Sequence, residues 1–314
     1  MTVAVGFFDG VHLGHREILR GADAALTFRN HPLSVLAPDK APRLLMSPEA
    51  KVASIRALGV REVVALDFTP DFAALTPDDF ISFLLDRFSR GQSPSDSSIR
   101  RFVDSSICRI VESPNPQIFE SKNRGIDEST NFSLNLRAGA NWRFGRGGIG
   151  DAEFLRSRGI PIEIVPYAEY RGEPISSTRI RRALAAGALA DAAAMLGRPV
   201  TLSGRVASGK HLGRELGFPT VNIVPDSAPE LPLGVYSARL AGVRAIANYG
   251  FAPTTGSRAW TSPVLELHFL EPGFPETFAG TVPVELVSFL RPERKFASLD
   301  DLRAQIARDI GMVI

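Results

Sequence analysis

The chain has 314 residues, 44% hydrophobic and 22% charged, the balance of an ordinary globular protein, and at roughly 150 residues per domain it has room for two domains. Lys plus Arg number 36 against 34 acidic residues, a net charge of +2, which excludes the polycationic surface of a nucleic-acid binder. The single cysteine, Cys108, excludes an internal disulfide and any cysteine metal cluster, and no apolar run approaches the ~18 residues of a membrane span. A cleaved leader would carry the first motif away with it, so a cytoplasmic location is expected.

Val3-Ala4-Val5 reads as a strand breaking at Gly6, where GFFDGVHLGH runs on to His15. A helix restarting near His12 puts both imidazoles at its N-terminus, where backbone N–H groups and the dipole attract phosphate. His12 and His15 are three residues apart and share a face, while Gly10 and Gly14 let the backbone lie close to a bulky ligand. Without a Walker lysine this is no P-loop. Two histidines facing a triphosphate suit nucleotidyl transfer, in which the protein stabilises charge developing on the α-phosphate; the plainer alternative is a solvated turn with two surface histidines.

Ala25 to Phe28 reads as a second strand ending in Asn30-His31-Pro32, so close behind His15 that the first helix must be short. Ser47-Pro48-Glu49 opens a helix with Val52, Ile55 and Leu58 on its apolar face and a stop at Gly59. A strand is predicted over Val63 to Phe68. Phe72 to Leu85 reads as helical, with Pro77 and Asp78-Asp79 opening its second part. That alternation predicts a parallel sheet with helices on its faces. Residues 89–133 are serine-rich without a sustained period and read as a surface insertion, mostly mobile.

Regular structure resumes at Leu134-Asn135-Leu136, followed by GANWRFGRGG from Gly139 to Gly148. Asn141 then falls at a strand's carboxyl end, where open α/β sheets bind ligands. Trp142 and Phe144 offer rings for stacking, Arg143 and Arg146 charges for phosphate; core aromatics beside a glycine loop are the alternative. After a strand at Ile162 to Val165, ISSTRIR begins a helix at Ile175. Its hydroxyls can cap the helix and donate to phosphate with the same geometry, and Arg179 and Arg181 follow in its first turn.

Past a boundary near 196–200, the short β-rich segments TLSGRV, VYSARL, RAIANYG, LELHFL and VPVELVSFL predict a small antiparallel barrel. Ser298 caps a last helix lined by Leu299, Leu302, Ile306 and Ile310. In GKHLGRELGFPTVN, Gly209, Gly213 and Gly217 favour an open loop, and Thr220 and Asn222 alternate so that both side chains face one way. A hydroxyl and an amide oxygen there are hard donors for Mg²⁺ and ATP oxygens; a β-turn closing a hairpin is the alternative. Glu266, flanked by Leu265 and Leu267 on the opposite side of its strand, is expected to point into the barrel mouth as a general base. Taken alone it reads as an exposed strand residue.

These motifs, in this order, resemble the bifunctional bacterial riboflavin kinase/FAD synthetases over essentially the whole chain outside 89–133. GFFDGVHLGH, the strand-end His-Pro, GANWRFGRGG and ISSTRIR are similar to that family's FMN adenylyltransferase module; LGRELGFPTVN, LGVY and LELHFL are similar to its riboflavin kinase module. The resemblance implies an α/β nucleotidyltransferase domain with a Rossmann-like parallel sheet over 1–196. A six-stranded flavokinase barrel with a C-terminal helix is implied over 197–314. It also implies two reactions: riboflavin plus ATP gives FMN plus ADP, and FMN plus ATP gives FAD plus pyrophosphate. His12 and His15 would stabilise adenylyl transfer and Glu266 would act as base on the ribityl 5′-hydroxyl. Gly6, Phe8, Asp9, Gly10, Gly14, Ser176, Ser177, Thr178, Arg181 and Gly209 would hold nucleotide or phosphate. His31, Asn141, Arg143 and Phe144 would hold flavin, and Thr220 and Asn222 would bind Mg-ATP. The short first crossover, Asn30 before His-Pro and the 89–133 insertion depart from the family pattern. The insertion keeps a kinase-only chain in view, and a non-catalytic flavin sensor is the rival outside enzymes.

Overall fold

In the computed structural model β1 (Thr2–Val5) pairs on both sides, with β2 (Ala24–Phe28) and with β4 (Asn135–Gly139), and both partners run parallel to it. β3 (Glu62–Leu66) extends the sheet beyond β2, and β5 (Ile162–Val165) extends it beyond β4, giving the order β3-β2-β1-β4-β5 with every pair parallel. The structure describes residues 1–89, 134–207, 220–251, 263–271 and 280–313. Of the serine-rich insertion only Ser89 is described, and Gly209, with the rest of 208–219, also lies outside. Two compact units result: Met1–Pro42 with Pro48–Glu169, and Arg43–Ser47 with Tyr170–Ile314.

In the first unit the crossovers are α1 (Leu13–Leu19), α2 (Leu33–Leu36), α3 (Pro48–Ala57), α4 (Pro70–Ala73) and α5 (Pro77–Ser89), with α6 (Ala152–Ser157) before β5. α1 has only 7 residues, as the tight spacing between the first two strands requires. The continuous helix expected from Phe72 is divided. Thr69 caps α4, accepting from Phe72 N–H at 3.1 Å, and Pro77 starts α5 afresh. Val3, Val5, Leu26, Val64, Leu66 and Leu136 fill one continuous core with Phe72, Phe80, Phe83 and Leu84. Each such side chain contributes about 1.5–3 kcal/mol on burial. Asn30 has a structural reason to be there: its Oδ1 accepts from Phe68 N–H at 2.7 Å and its Nδ2 donates to Phe68 O at 2.9 Å. Those two bonds tie the chain leaving β2 to the chain leaving β3.

β6 (Glu169–Tyr170) ends the first unit and opens the second, in which β7 (Glu173–Pro174) leads through α7 (Ser177–Ala185) and α8 (Leu189–Leu196) to the strands of the barrel. The barrel is closed in the order β10-β11-β12-β9-β8-β13, every pair antiparallel. Its strands are β8 (Val200–Ala207), β9 (Thr220–Pro225), β10 (Gly234–Leu240), β11 (Val243–Gly250), β12 (Val264–Phe269) and β13 (Thr281–Pro292). Leu202, Ile223, Tyr236, Ala247, Leu265, Leu267 and Val284 point inward and are buried.

Ser298 caps the last helix, α9 (Leu299–Gly311), by accepting from Asp301 N–H at 3.1 Å. Its most buried side chains are polar, Gln305 and Asp309, with Leu302, Ile306 and Ile310 half-buried beside them. Arg291 of β13 answers Asp309 through Nε at 3.0 Å and Nη2 at 2.7 Å, and Gln305 Nε2 donates to Asp309 Oδ1 at 2.6 Å. A carboxylate 1% exposed is tolerable only with such partners. Arg291→Met therefore leaves a buried charge without its counterion, and urea unfolding of the second unit should show a loss of about 3–5 kcal/mol. A change under about 0.5 kcal/mol, the scale of an ordinary surface substitution, would show that the pair does not fasten α9.

Candidate functional site

Connections from β1 lead through β2 to β3 on one side, while β4 and β5 lie on the other, so the sheet's switch point is at the carboxyl ends of β1 and β4. Open α/β sheets form their ligand crevice at such a point. The Gly6–Val11 turn leaves β1 there, and the Asn141 loop leaves β4 beside it. Gly6 N–H bonds Leu26 O at 3.1 Å and Val11 N–H bonds Phe8 O at 3.1 Å, closing a tight turn. Phe8 (φ 53°), Gly10 (φ 82°) and Val11 (φ 41°) all take left-handed backbone. That conformation is strained for a β-branched valine and is found where surrounding structure over-determines it, commonly at functional sites. Asp9 in this turn is 1% exposed.

His12 is the N-cap of α1 rather than its first helical residue; its Nδ1 accepts from His15 N–H at 3.3 Å. A neutral ring that accepts at Nδ1 carries its proton on Nε2. The His12 and His15 rings stack with centroids 3.5 Å apart and planes at 19°, and Phe8 meets His15 edge-on at 5.4 Å. A Cβ at Gly14 would stand 3.3 Å from His12 Cε1, tight against the stack. Burial first, then the proximity of His12 and of Lys51, holds the His15 imidazole well below the ordinary 6.5. Its Nδ1 is buried without a hydrogen-bond partner among the described residues. The stack therefore holds His15 as a buried imidazole beside the N-cap His12.

His31 accepts from Leu33 N–H at 3.1 Å and packs edge-on against Phe7 at 4.8 Å, at the carboxyl end of β2. Asn141 is exposed just past β4. Phe144 is only 6% exposed, bridged to Gly150 and packed against Phe80 and Phe154, so its ring belongs to the core. The surface left for a planar ligand is that of Trp142, half-exposed and stacked on Phe144 at 4.9 Å. Arg143 is exposed, its Nη1 donating to Trp142 O at 2.9 Å.

The second unit holds the remaining residues. Ser176 Oγ caps α7, accepting from Arg179 N–H at 3.2 Å, with Ser177 and Thr178 in the first turn. Arg181 Nε donates to Arg43 O at 2.8 Å, and Arg179 Nη1 to Glu173 O at 2.8 Å. On the barrel, Asn222 of β9 stands opposite Glu266 of β12, which stands opposite Asn248 of β11. Cβ atoms of such opposed pairs lie about 4.5–5.5 Å apart, so the three side chains form one row, with Thr220 two residues from Asn222 on the same face. Leu265 and Leu267 fill the interior, both 0% exposed. Glu266 therefore projects from the outer wall, not into the barrel mouth, because alternation gives the interior to its apolar neighbours. Burial chiefly, and then Glu293, pushes its carboxyl above the ordinary carboxylate range. Glu293 Oε1 accepts from Asn248 Nδ2 at 3.4 Å, and it lies across Gly250, where a Cβ would stand 1.8 Å from that oxygen.

Sequence reading passed over Lys51, Asn248 and Glu293. The signal for Lys51 was a cation on the apolar face that Val52 and Ile55 define. For Asn248 it was the alternation of RAIANYG, which gives Ala245 and Ala247 to the interior and leaves Asn248 outside.

A parallel sheet with a switch-point crevice and a closed antiparallel barrel on one chain define the class, a nucleotide-dependent transferase. The family model for FAD synthetase matches residues 1–90 and that for riboflavin kinase matches 196–313. A bifunctional riboflavin kinase/FMN adenylyltransferase of Escherichia coli strain K12 is 32% identical, over 98% of this chain and 90% of that one. Its counterpart from Bacillus subtilis strain 168 is 28% identical with the same coverage. A solved Streptococcus pneumoniae chain described as a macrolide-efflux protein superposes with TM-score 0.72 at 26% identity, over 99% of this chain and 93% of that one. Among the described residues no helix is long and apolar enough to cross a membrane. The chain belongs to the bifunctional riboflavin kinase/FMN adenylyltransferase family.

The His15 environment makes stability depend on pH. Below the ordinary 6.5 the unfolded chain takes up a proton that the folded ring refuses, so the unfolded state binds more protons and stability falls as pH falls. Thermal melts from pH 7.5 to 5 should show this loss in the first unit's transition, and His15→Asn should flatten it. An equal slope in wild type and variant would mean His15 is not shielded.

Proposed function

We propose that the chain phosphorylates riboflavin at the barrel and adenylylates the resulting FMN at the parallel-sheet crevice, with residues 1–196 serving the second reaction and 197–314 the first. The observation that carries this reading is the presence, on one chain, of a stacked histidine pair at a β1/β4 switch point and of Glu266 in register with Asn222 on the barrel wall. β4 is seated beside β1 despite the insertion that precedes it, which favours two activities over the kinase alone. A flavin sensor has no need of a carboxylate held above its usual range beside a hydroxyl and amide pair.

In the kinase step Glu266 takes the proton of the ribityl 5′-hydroxyl as that oxygen bonds to the γ-phosphorus of ATP and the bond to ADP breaks. Thr220 and Asn222 present oxygens only. Among the described residues no group of three His, Cys, Asp or Glu could hold a metal by itself. Thr220 and Asn222 thus fit Mg²⁺ brought by ATP's own phosphates, where it would neutralise their charge. In the adenylyl step an FMN phosphate oxygen bonds to the α-phosphorus and pyrophosphate leaves, while His12 and His15 donate to the charge that develops. Gly6, Phe8, Asp9 and Gly10 shape the turn beneath that phosphate, with Gly14 in the first turn of α1. His31, Asn141, Arg143 and the exposed face of Trp142 hold flavin. On the second unit, Ser176, Ser177, Thr178 and Arg181 serve phosphate.

Glu266→Gln should reduce FMN formation from riboflavin by ~10²–10⁴-fold while FAD formation from supplied FMN continues; near-normal FMN output would remove Glu266 from the mechanism. The double variant His12→Ala, His15→Ala should do the converse, losing ~10²–10³-fold in FAD synthesis with riboflavin phosphorylation intact. A parallel fall of both activities would contradict the division into two centres. Chromatography of the flavin products reads both experiments.

A further inference from the structure

Lys51 breaks the apolar pattern of α3. It precedes Val52 and lies one helical turn before Ile55, both core residues, and it is itself only 2% exposed. An ammonium taken out of water must be hydrogen-bonded. Its bonds go to two backbone carbonyls, Phe7 at 3.0 Å and Phe28 at 2.5 Å, and Nζ lies 4.0 Å from the Phe7 ring centroid. Phe28 ends β2, and Phe7 belongs to the turn leaving β1. One side chain thus joins α3 to two adjacent strand ends under the crevice. Both bonds go to carbonyls, and Asp9 is the carboxylate whose charge acts on the ammonium.

The Phe7 carbonyl also accepts from Thr27 Oγ1 at 2.8 Å. In a trans peptide C=O and N–H point opposite ways. Fixing that carbonyl on Lys51 and Thr27 turns Phe8 N–H away from them. Phe8 N–H has no acceptor among the described residues, and Phe8 is held at φ 53° with its ring against His15. This is a donor prepared for an anion and kept in a conformation that needs an anchor.

We propose that Lys51 is a positioning residue for adenylyl transfer: its buried ammonium fixes the Phe7–Phe8 peptide so that Phe8 N–H faces the transferred phosphate, and while protonated it adds a positive charge behind that site. The proposal rests on the reading of His12 and His15 as the adenylyl-transfer centre. Burial pulls the Lys51 ammonium down to about 8, with Asp9 opposing. The titratable groups near it are Asp9 in the turn, His12 and His15 at α1, and His31 beyond the Phe7 ring.

The test uses the full chain, with FAD formation from FMN and FMN formation from riboflavin followed across pH 6 to 9.5. In wild type, FAD synthesis should fall through an alkaline limb near pH 8, as Lys51 loses its proton, while FMN synthesis shows no such limb. Lys51→Met should lower kcat for FAD by about 10²-fold, abolish that limb and leave FMN synthesis unchanged. Wild-type FAD synthesis without the limb overturns the proposal even if the variant does not fold. So does a variant whose FAD kcat stays within twofold of wild type, or whose two activities fall together. His12→Ala run in parallel separates the two readings. Loss of FAD synthesis in His12→Ala with none in Lys51→Met removes only the role of Lys51; full FAD synthesis in His12→Ala removes the centre and the proposal with it.

Discussion

β1 is hydrogen-bonded on both sides to parallel partners, and that double pairing governs the first centre. Parallel strands cannot be joined by tight turns, so each connection must leave a carboxyl end, cross the sheet and return. Where connections diverge to opposite sides of β1, no crossover covers its carboxyl end, and the crevice forms there. The Gly6–Val11 turn, the histidine stack and the loop carrying Asn141 inherit their positions from β1 and β4. A change that slipped β4 by one residue would exchange the buried Leu136 and Ala138 for Arg137. Core packing therefore also fixes the site.

The barrel obeys a different constraint. Closure leaves no sheet edge and fills the interior with side chains, so a polar group can serve chemistry only from the outer wall. Alternation sends Leu265 and Leu267 inward and Glu266 outward, and antiparallel pairing brings Asn222 and Asn248 to its two sides. The two centres also handle charge differently. The first lowers an imidazole's proton affinity by burial and nearby positive groups; the second raises a carboxyl by burial and another carboxylate.

Strand positions were readable because period-two alternation and glycine stops are local. Ile162 to Val165 matches β5 residue for residue, and Ala25 to Phe28 misses only Ala24 of β2. What needed the fold were questions of which side. Glu266 carries the same sequence signal whether it faces a mouth or a wall, and only barrel closure decides. Phe144 reads equally as a stacking ring or a core ring until Phe80 and Gly150 close around it. The apolar stripe of α9 conceals Gln305 and Asp309, whose burial depends on Arg291 from a distant strand. Lys51 shows the same limit, since its partners are backbone carbonyls that no side-chain pattern announces.

The claim that two separate phosphate transfers occur on one chain is tested most directly by the fate of ATP's phosphorus atoms. Wild-type protein is given riboflavin and ATP labelled at either the γ- or the α-position, and the flavins are separated. The account predicts γ-label in both FMN and FAD, and α-label in FAD alone. Label from the α-position in FMN, or γ-labelled FMN with no α-labelled FAD at any time, would contradict it.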